Sequence, residues 1–496
     1  MKFKTMVFWL TASLIYLMAI RISVDSDTWW HLRAGKWMLE NRNILTVDLF
    51  SYTRYGAEWR YPGWLIEVPM AIIESRLGLG GLNLFSALII STSFALIYSA
   101  MQGNELIRAT ITLLAAIVSS VYWSARPHLM TLLFSALFLY WLENGARNGY
   151  IQYRKPLWIG MPLIMFCWVN MHGGFIVGFL IWGVYLVETM LKNWQDALRH
   201  QRRVSTLLSN AVLITLLSSG LAMGLVAIAN PLGYQIFAYP FQTVSIQKLR
   251  DYIQEWQSPD FHSLSVQPFI WMLILLLAVS SVARRRWALR DFLLVAMFLY
   301  LSLVAARNVA LFALVATLPI ARLLEEAEIK SVYGLFPAKL DSARQGHPAK
   351  DYPKLNLLIL GMVLLGCGYK TATVYPQEVI LKAISSKTPI EAVRYLQENR
   401  PEGRLFNSYN WGGYLLWSLP EYPVFVDGRT DLYNDEILDQ WFQVALLKDG
   451  WEQVIERWQI RVILMEKEWI VAKFLQQNGW CQKYLDEVAM ILEKCP

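Results

Sequence analysis

Two acidic residues, Asp25 and Asp27, follow the first apolar run of the chain in ISVDSDTWWHLRAGKW. In an extended segment, residues i and i+2 point to the same face. Two carboxylates on one face can bind a divalent cation such as Mg²⁺ or Mn²⁺, or one can act as general base while the other orients a substrate hydroxyl. The positive end of the following helix keeps carboxylates ionised and attracts phosphate. Simple helix capping is the alternative interpretation, since Asp is a favoured N-cap.

Two arginines near the ends of apolar runs have the chemistry to hold a phosphate. A guanidinium stabilises the developing charge of a phosphate leaving group through bidentate contacts. The two are Arg126, which is close to His128 in SARPHL, and Arg307, which precedes Asn308 in AARN. The alternative for both arginines is snorkelling to phospholipid headgroups.

Four more side chains are candidates for substrate binding. They are His31 and Arg33 after the acidic pair, Glu67 in WLIEV and His172 in NMHGGF. The two glycines after His172 let a ligand come close, or else allow a tight helix–helix contact. Glu67 either joins the acidic pair or faces water at the headgroups.

A second acidic and basic cluster lies near the C-terminus. Asp427, Arg429 and Asp431 follow a predicted strand in VFVDGRTDLY. Ligands of α/β sheets lie beyond the carboxyl ends of the strands. These side chains are therefore candidates to bind an acceptor or glycan, or to close over the membrane site. A salt-bridged, well-capped turn is the alternative.

A strongly apolar chain must position these residues. Of its 496 residues 55% are hydrophobic and 17% are charged, whereas soluble domains have about 25% charged residues. The charged residues are bunched, which is typical of an α-helical polytopic membrane protein. The net charge of +7 is therefore no evidence for a nucleic-acid partner and reflects loops that face anionic membrane lipids.

Apolar runs predict eleven transmembrane helices within residues 1–373. A helix needs roughly 20 apolar residues to cross the hydrocarbon. The predicted spans are 5–21, 82–100, 108–123, 129–143, 156–170, 173–190, 207–228, 267–283, 290–304, 308–323 and 355–373.

Basic residues in the short loops predict the orientation. With the N-terminus in the cytoplasm, the cytoplasmic pieces contain Lys2, Lys4, Arg147, Arg154, Lys155, Lys192, Arg199, Arg202, Arg203, Arg284, Arg285, Arg286 and Arg290. The short outer loops contain Arg126 and Arg307 alone. The positive-inside rule therefore predicts a multi-pass membrane protein with a cytoplasmic N-terminus. An odd span count places residues 374–496 outside.

The first outer loop, residues 22–81, is predicted to contain two helices that lie along the membrane interface, at 28–40 and 62–77. In the first of them, Trp30, Ala34, Trp37 and Met38 form an apolar stripe. The candidate site residues of the membrane domain collect on this outer face.

The region 374–496 has a different character. Strand-like GRLFNS, YPVFVDG and RVILME alternate with helical segments. This order predicts a small extracytoplasmic α/β domain with a mainly parallel sheet. Outside the cytoplasm, a disulfide between Cys481 and Cys495 is possible.

The order of a first span, an acidic pair, a long outer loop with interfacial helices, many spans and an outer C-terminal domain resembles the GT-C superfamily of membrane glycosyltransferases. DSDTWWHLRAG, EWRYPGWLIEV, RPHL, WVNMHGGFIVG and NWGGYLLWSLPEYPVFVDGRTDLY resemble in particular an uncharacterised bacterial branch near that superfamily. The resemblance implies a polyprenyl-phosphate-linked sugar donor and a base or metal-ligand role for Asp25 or Asp27. In this chain Ser26 separates the two acids, whereas several GT-C families have an adjacent pair.

The preferred function is therefore transfer of a hexosyl or pentosyl group from a polyprenyl-phosphate donor to an extracytoplasmic glycan, lipid or protein. Two alternatives stay open: a transporter or flippase of a lipid-linked or polar solute, and a non-catalytic scaffold for envelope assembly. Transporters tend to carry charges near the membrane midplane, whereas the polar groups here gather at one face.

Overall fold

The computed structural model describes residues 1–200, 210–283, 287–326 and 351–495. Among the basic positions used to predict the orientation, Arg202, Arg203 and Arg284–Arg286 lie outside the described residues.

The described residues form twenty α-helices and four β-strands. The helices of the first part are α1 (Phe3–Ala19), α2 (Thr28–Asn41), α3 (Trp64–Ala100), α4 (Glu105–Ser119), α5 (His128–Asn148), α6 (Met161–Val169), α7 (Ile176–Arg199), α8 (Ala211–Ala227), α9 (Tyr239–Ser245), α10 (Gln247–Tyr252), α11 (Gln267–Val282), α12 (Leu289–Val304), α13 (Val309–Glu326) and α14 (Pro353–Val374). The later helices are α15 (Gln377–Ile384), α16 (Ile390–Asn399), α17 (Gly412–Ser418), α18 (Thr430–Ala445), α19 (Trp451–Arg457) and α20 (Ile470–Gln477).

The chain is an α-helical, multi-pass membrane protein. A helix covers most of the described part of each predicted span. Within the described ranges, six helical stretches are long and apolar enough to cross a membrane by length and composition. The exact number of spans, their orientation and the division at residue 373 stay predictions.

The helix α3 joins a predicted interfacial helix to a predicted span. It begins at Trp64, two residues after the predicted start, and has non-helical dihedral angles at Gly78 (φ 65°, ψ −170°). A positive φ costs glycine little, because glycine has no Cβ. The break between the two parts is therefore at Gly78. Pro69 also lies inside α3, but the helix does not break there.

The segment between α1 and α3, residues 20–63, contains α2 and packs against α3 and α17. Of the predicted apolar stripe, Trp30, Ala34 and Met38 are buried and Trp37 is half-buried. This segment therefore lies between the long helices and the C-terminal region, and it contains the acidic pair.

The C-terminal region holds a mixed sheet of β1 (Arg404–Asn407), β2 (Ile460–Glu466), β3 (Trp480–Leu485) and β4 (Ala489–Lys494), in the order β1-β2-β4-β3. Only β1 and β2 pair in parallel; β4 is antiparallel to both of its neighbours. The prediction of a mainly parallel sheet was wrong, because the last two strands form an antiparallel hairpin. The segment YPVFVDG is not one of these strands; its Val424 forms an isolated bridge with Ser51. The disulfide between Cys481 and Cys495 is formed.

Candidate active site

Arg126 gathers the acidic residues of two distant segments. Among the described residues, its guanidinium contacts Asp25 Oδ2 from Nε (3.2 Å), Asp27 Oδ2 from Nη1 (2.5 Å) and Glu255 Oε2 from Nη2 (2.8 Å). Arg126 is in the short loop before α5, and Glu255 is in the loop that follows α10. The sequence predicted the contributions of Asp25, Asp27 and Arg126 to one site, and the structure brings these three side chains together.

Asp25 and Asp27 have different neighbours. Asp25 Oδ1 accepts hydrogen bonds from the Asp27 and Thr28 backbone N–H groups and from Thr28 Oγ1–H, at 3.0–3.1 Å. Asp25 therefore caps the start of α2 as well as pairing with Arg126. As far as the structure describes its surroundings, the Asp27 side chain makes no capping bond to α2. Its Oδ1 atom is not bound to the start of α2 and lies against Gly428.

Glu255 is a member of this cluster that sequence reasoning missed. Its Oε1 is 3.6 Å from Arg307 Nη1, and the Arg307 guanidinium lies 4.2 Å from the centre of the Trp256 ring. Asn308 instead donates to the Leu301 carbonyl at 3.0 Å and so closes the end of α12. The available signal was an acid close to a tryptophan in a predicted outer loop, as in DSDTWW.

The electrostatic environment separates the two carboxylates that flank Arg126. Burial raises the pKa of Asp27 and, although Arg126 opposes the rise, Asp25 and Glu255 add to it, so the pKa reaches about 7. Burial also acts to raise the pKa of Glu255, but Arg126 and Arg307 outweigh it and lower the pKa to about 2. Near neutral pH, Glu255 is therefore a fixed anion, whereas Asp27 can gain and lose a proton.

The three predicted histidines lie around this cluster. His172 Nδ1 accepts from the Gly174 N–H at 3.0 Å and is 2.8 Å from Thr131 Oγ1. His128 Nε2 is 2.8 Å from the Tyr122 carbonyl oxygen, and its buried Nδ1 has no partner among the described residues. Burial, assisted by Arg126, holds the pKa of His31 well below its usual range. Burial and Arg307 do the same for the pKa of His172. These two imidazoles are therefore neutral.

Glu67 and Arg33 lie outside the Arg126 cluster. Glu67 is 2% exposed and its Oε1 is 2.8 Å from His31 Nδ1. Glu67 therefore neither joins the acidic pair nor faces water at the headgroups. The Gly63–Gly78 part of the chain packs against α2 and buries the Glu67 side chain. The Arg33 guanidinium lies over the Phe50 ring at 5.3 Å. Neither side chain has a contact with Arg126 in the described part of the chain.

Asp427 and Arg429 form a buried network with the α1–α3 segment. Arg429 binds both oxygens of Asp427 (2.7–2.9 Å) and Oδ1 of Asp48 (2.6 Å), and Tyr433 O–H donates to Asp427 at 2.7 Å. The side chains of Arg429, Asp427 and Asp48 have 0% exposure. This geometry favours the salt-bridged turn over a ligand contact, since the paired atoms have no open face.

Asp431 lies in an aromatic cluster. Its Oδ2 accepts from Trp59 Nε1–H (3.2 Å) and from Tyr239 O–H (3.1 Å). Trp59 stacks on Tyr61, and Trp30 meets Tyr61 edge-on. The indole N–H of buried Trp30 has no hydrogen-bond partner within the described ranges. Burial raises the pKa of Asp431.

The residues of the cluster do not fit a divalent cation in this arrangement. A metal ion needs several free oxygen ligands around one point. Here the oxygens of Asp25, Asp27 and Glu255 that converge are bound to the Arg126 guanidinium. The described residues contain no group of three or more His, Cys, Asp or Glu side chains arranged to hold a metal. The guanidinium occupies the position that a cation would take.

A second charged network lies toward the opposite end of α5, roughly 25 Å from Arg126 by helix rise. Glu143 binds Arg290 Nε (3.2 Å) and Arg322 Nη2 (3.0 Å), and Arg290 Nη1 reaches Glu188 (2.9 Å). A cavity of about 530 Å³ is lined by several of these residues and by none of the predicted site residues. None of the residues at this end of the helices was predicted to belong to a site.

Solved structures with a similar fold were found, whereas no family model and no curated protein matches the chain. The oligosaccharyltransferase of Archaeoglobus fulgidus in the apo form aligns with a TM-score of 0.57 at 13% identity, over 94% of this chain and 70% of that one. The AglB oligosaccharyltransferase of the same organism, in complex with an inhibitory peptide and a dolichol-phosphate, aligns with a TM-score of 0.55 at 13% identity, over 93% and 69%. A complex of the Archaeoglobus enzyme with Zn and sulfate gives 0.52 at 14% identity, over 98% and 73%.

These alignments cover 93–98% of the chain. The chain therefore shares the fold of these oligosaccharyltransferase structures, as the resemblance to the GT-C superfamily predicted.

Proposed function

We propose that this protein is a membrane glycosyltransferase that moves a hexosyl or pentosyl group from a polyprenyl-phosphate-linked donor to an acceptor glycan, lipid or protein. The observation that carries the proposal is the Asp27 carboxylate: Arg126 holds one oxygen, the other makes no cap to the described start of α2, and the pKa is about 7. A general base works best when its pKa is near the working pH. The GT-C fold supports the same reaction class.

In the proposed reaction, Asp27 takes the proton of an acceptor hydroxyl while the hydroxyl oxygen forms a bond to the anomeric carbon of the donor sugar. The bond between that carbon and the phosphate oxygen breaks, and the lipid phosphate leaves with the electron pair. The Asp27 proton then passes to solvent or to the departing phosphate.

Arg307 is the better candidate to hold the phosphate, and Arg126 serves to position the carboxylates. Arg126 uses Nε, Nη1 and Nη2 on carboxylates. Arg307 has a single carboxylate contact at 3.6 Å among the described residues and is 26% exposed. A guanidinium with free N–H groups stabilises the charge that develops on the leaving phosphate.

We further propose that the Asp27 end of the helices faces the outside of a bacterial cell membrane, with the N-terminus in the cytoplasm and residues 374–496 outside. The excess of basic residues at the other helix ends supports this orientation. The donor lipid then reaches the site from the outer leaflet.

The test uses purified protein in liposomes and a panel of radiolabelled polyprenyl-phosphate-linked glucose, mannose and arabinose. We expect the label to move from the lipid to an added acceptor or to water. The test variant is Asp27→Asn, which should lose transfer. Asp251→Asn is its matched control, since Asp251 is exposed and near Glu255 in sequence. Movement of the intact lipid across the bilayer with no cleavage of its sugar would contradict the proposal and favour a flippase.

A further inference from the structure

Two glycines of the C-terminal region contact residues 25–27, the acidic loop that carries Asp25 and Asp27. A Cβ added to Gly428 would lie 2.0 Å from Asp27 Oδ1, and one added to Gly413 would lie 2.5 Å from the Ser26 carbonyl oxygen. Real Cβ atoms essentially never come within 3.0 Å of another heavy atom. Both glycines therefore permit an approach to residues 25–27 that another residue type would block.

The buried network holds Gly428 at this place. Its two neighbours in sequence, Asp427 and Arg429, are bound to each other, and Arg429 is bound to Asp48 of the α1–α3 segment. Phe50 and Val424 add a backbone hydrogen bond of 3.2 Å between the same two segments. Because both flanks are pinned, Gly428 cannot move away from Asp27 without breaking a fully buried ion pair.

The opposite side of Asp27 is also fixed. Arg126 binds Oδ2 at 2.5 Å, and Arg126 is itself bound to Asp25 and Glu255. The carboxylate is consequently held between the guanidinium on one side and the bare Cα of Gly428 on the other. Its place is set by two parts of the chain that are about 300 residues apart in the sequence.

We infer that Gly428 is a positioning residue for Asp27, so that the C-terminal region completes the active site of the membrane helices. This inference rests on the proposed function. A methyl group at position 428 pushes the carboxylate away from its place or pulls it from Arg126. Displacement of a reacting group by about 1 Å is enough to cost about 100-fold in rate.

The experiment compares Gly428→Ala with Gly403→Ala. Gly403 has φ +111°, and a Cβ there meets the Arg461 side chain, so its replacement strains the same region away from the acidic loop. Two readouts are taken from full-length protein: kcat and KM for the lipid donor that is active in the liposome assay, and amide hydrogen exchange of peptides covering residues 22–33.

For Gly428→Ala we expect a loss of kcat of about 100-fold with KM changed less than about threefold, as for a misplaced reacting group. We also expect faster exchange of the Asp27 and Thr28 amides, which donate to Asp25. Gly403→Ala should leave both the exchange of 22–33 and kcat per folded molecule near wild type. Equal losses in the two variants, or a Gly428→Ala protein that matches wild type, would overturn the inference.

The two readouts, sugar transfer and hydrogen exchange, distinguish a failure of this inference from a failure of the proposed function. If wild-type protein transfers no sugar, the proposed function fails, and the exchange of residues 22–33 still decides whether Gly428 holds the acidic loop. If wild-type protein is active and Gly428→Ala is unaffected, the function stands and the positioning role falls.

Discussion

At the scale of single residues, two similar carboxylates have different tasks because their neighbours differ. Asp25 Oδ1 accepts hydrogen bonds from Thr28 at the start of α2, so Asp25 fixes the conformation of residues 25–28. Asp27 lacks such bonds to the described residues and lies among Arg126, Asp25 and Glu255. The sequence predicted the pair but left the base unassigned, since capping and pKa depend on contacts with residues about 100 and 230 positions away.

The transfer rate should depend on the protonation state of Asp27. The pKa of Asp27 is raised to about 7, so the carboxyl is mostly protonated below that pH and mostly ionised above it. Because the base must be ionised, we expect kcat to fall as the pH drops through about 7.

Glu255→Gln provides the comparison for this pH profile. The Glu255 carboxylate raises the pKa of Asp27, so removal of its charge should move the acidic limb of kcat to lower pH. Asp251→Asn should leave the limb in place. A profile that is flat from pH 5 to 8 in wild type would rule out Asp27 as the titrating base.

Arg126 should not be replaceable by lysine. A guanidinium presents a rigid fork of donors, whereas an ammonium is a single point charge. Lysine at position 126 cannot hold Asp25, Asp27 and Glu255 in their present places. We expect Arg126→Lys to reduce kcat by about 100-fold, as for a misplaced catalytic group, while Arg250→Lys, on the exposed side of α10, keeps wild-type activity. Wild-type kcat in Arg126→Lys would show that the fork is dispensable.

At the scale of elements, the main feature is the fastening of the C-terminal region to the α1–α3 segment. Arg429 makes the contact between Asp427 and Asp48, and the three side chains are fully buried. A buried ion pair is strongly destabilising to break, because the remaining charge has no partner. The element that carries the acidic pair thus depends on a turn from the far end of the chain.

Arg429→Met should lower the free energy of unfolding by about 3–5 kcal/mol, since it leaves Asp427 and Asp48 as buried carboxylates without their cation. Arg394→Met is the control, because Arg394 pairs with Glu391 at the surface, and exposed pairs contribute about 0–1 kcal/mol. Thermal unfolding in detergent, followed by tryptophan fluorescence, measures both. Similar midpoints for the two variants would contradict the role given to Arg429.

Sequence periodicity predicted the elements better than their pairing. Apolar runs located the helices because burial in lipid or protein leaves a local signature over some 20 residues. The sheet type and the role of YPVFVDG were wrong. In β2 and β4 the same apolar composition fits a parallel or an antiparallel neighbour, and only the tertiary contacts decide between them. Glu255 escaped notice because its partners, Arg126 and Arg307, are distant in sequence.

At the scale of the whole molecule, two charged clusters of the described residues lie at opposite ends of the helix bundle. One contains Asp25, Asp27, Arg126, Glu255 and Arg307, and the other contains Glu143, Glu188, Arg290 and Arg322. The sequence indicated the first cluster from its mixture of residue types. It did not indicate the second, because the carboxylates of that cluster are single residues within apolar helices.

The predicted orientation can be measured with single cysteines in a background of Cys167→Ala and Cys367→Ala. Ser386→Cys, in the exposed part of the C-terminal region, should react with a membrane-impermeant maleimide in intact cells. Gln195→Cys, near the exposed end of α7, should react only after the cells are permeabilised. The opposite labelling pattern would invert the orientation and place the Asp27 site in the cytoplasm.

The most direct test is the rate of sugar transfer from the active polyprenyl-phosphate donor by Asp27→Asn protein, beside Asp251→Asn and wild type. Asparagine keeps the shape of the side chain and removes its capacity as a base, so we expect a loss of about 100- to 10,000-fold. Asp251→Asn should transfer sugar at the wild-type rate. Undiminished transfer by a folded Asp27→Asn protein would contradict the assignment of Asp27 as the base of this site.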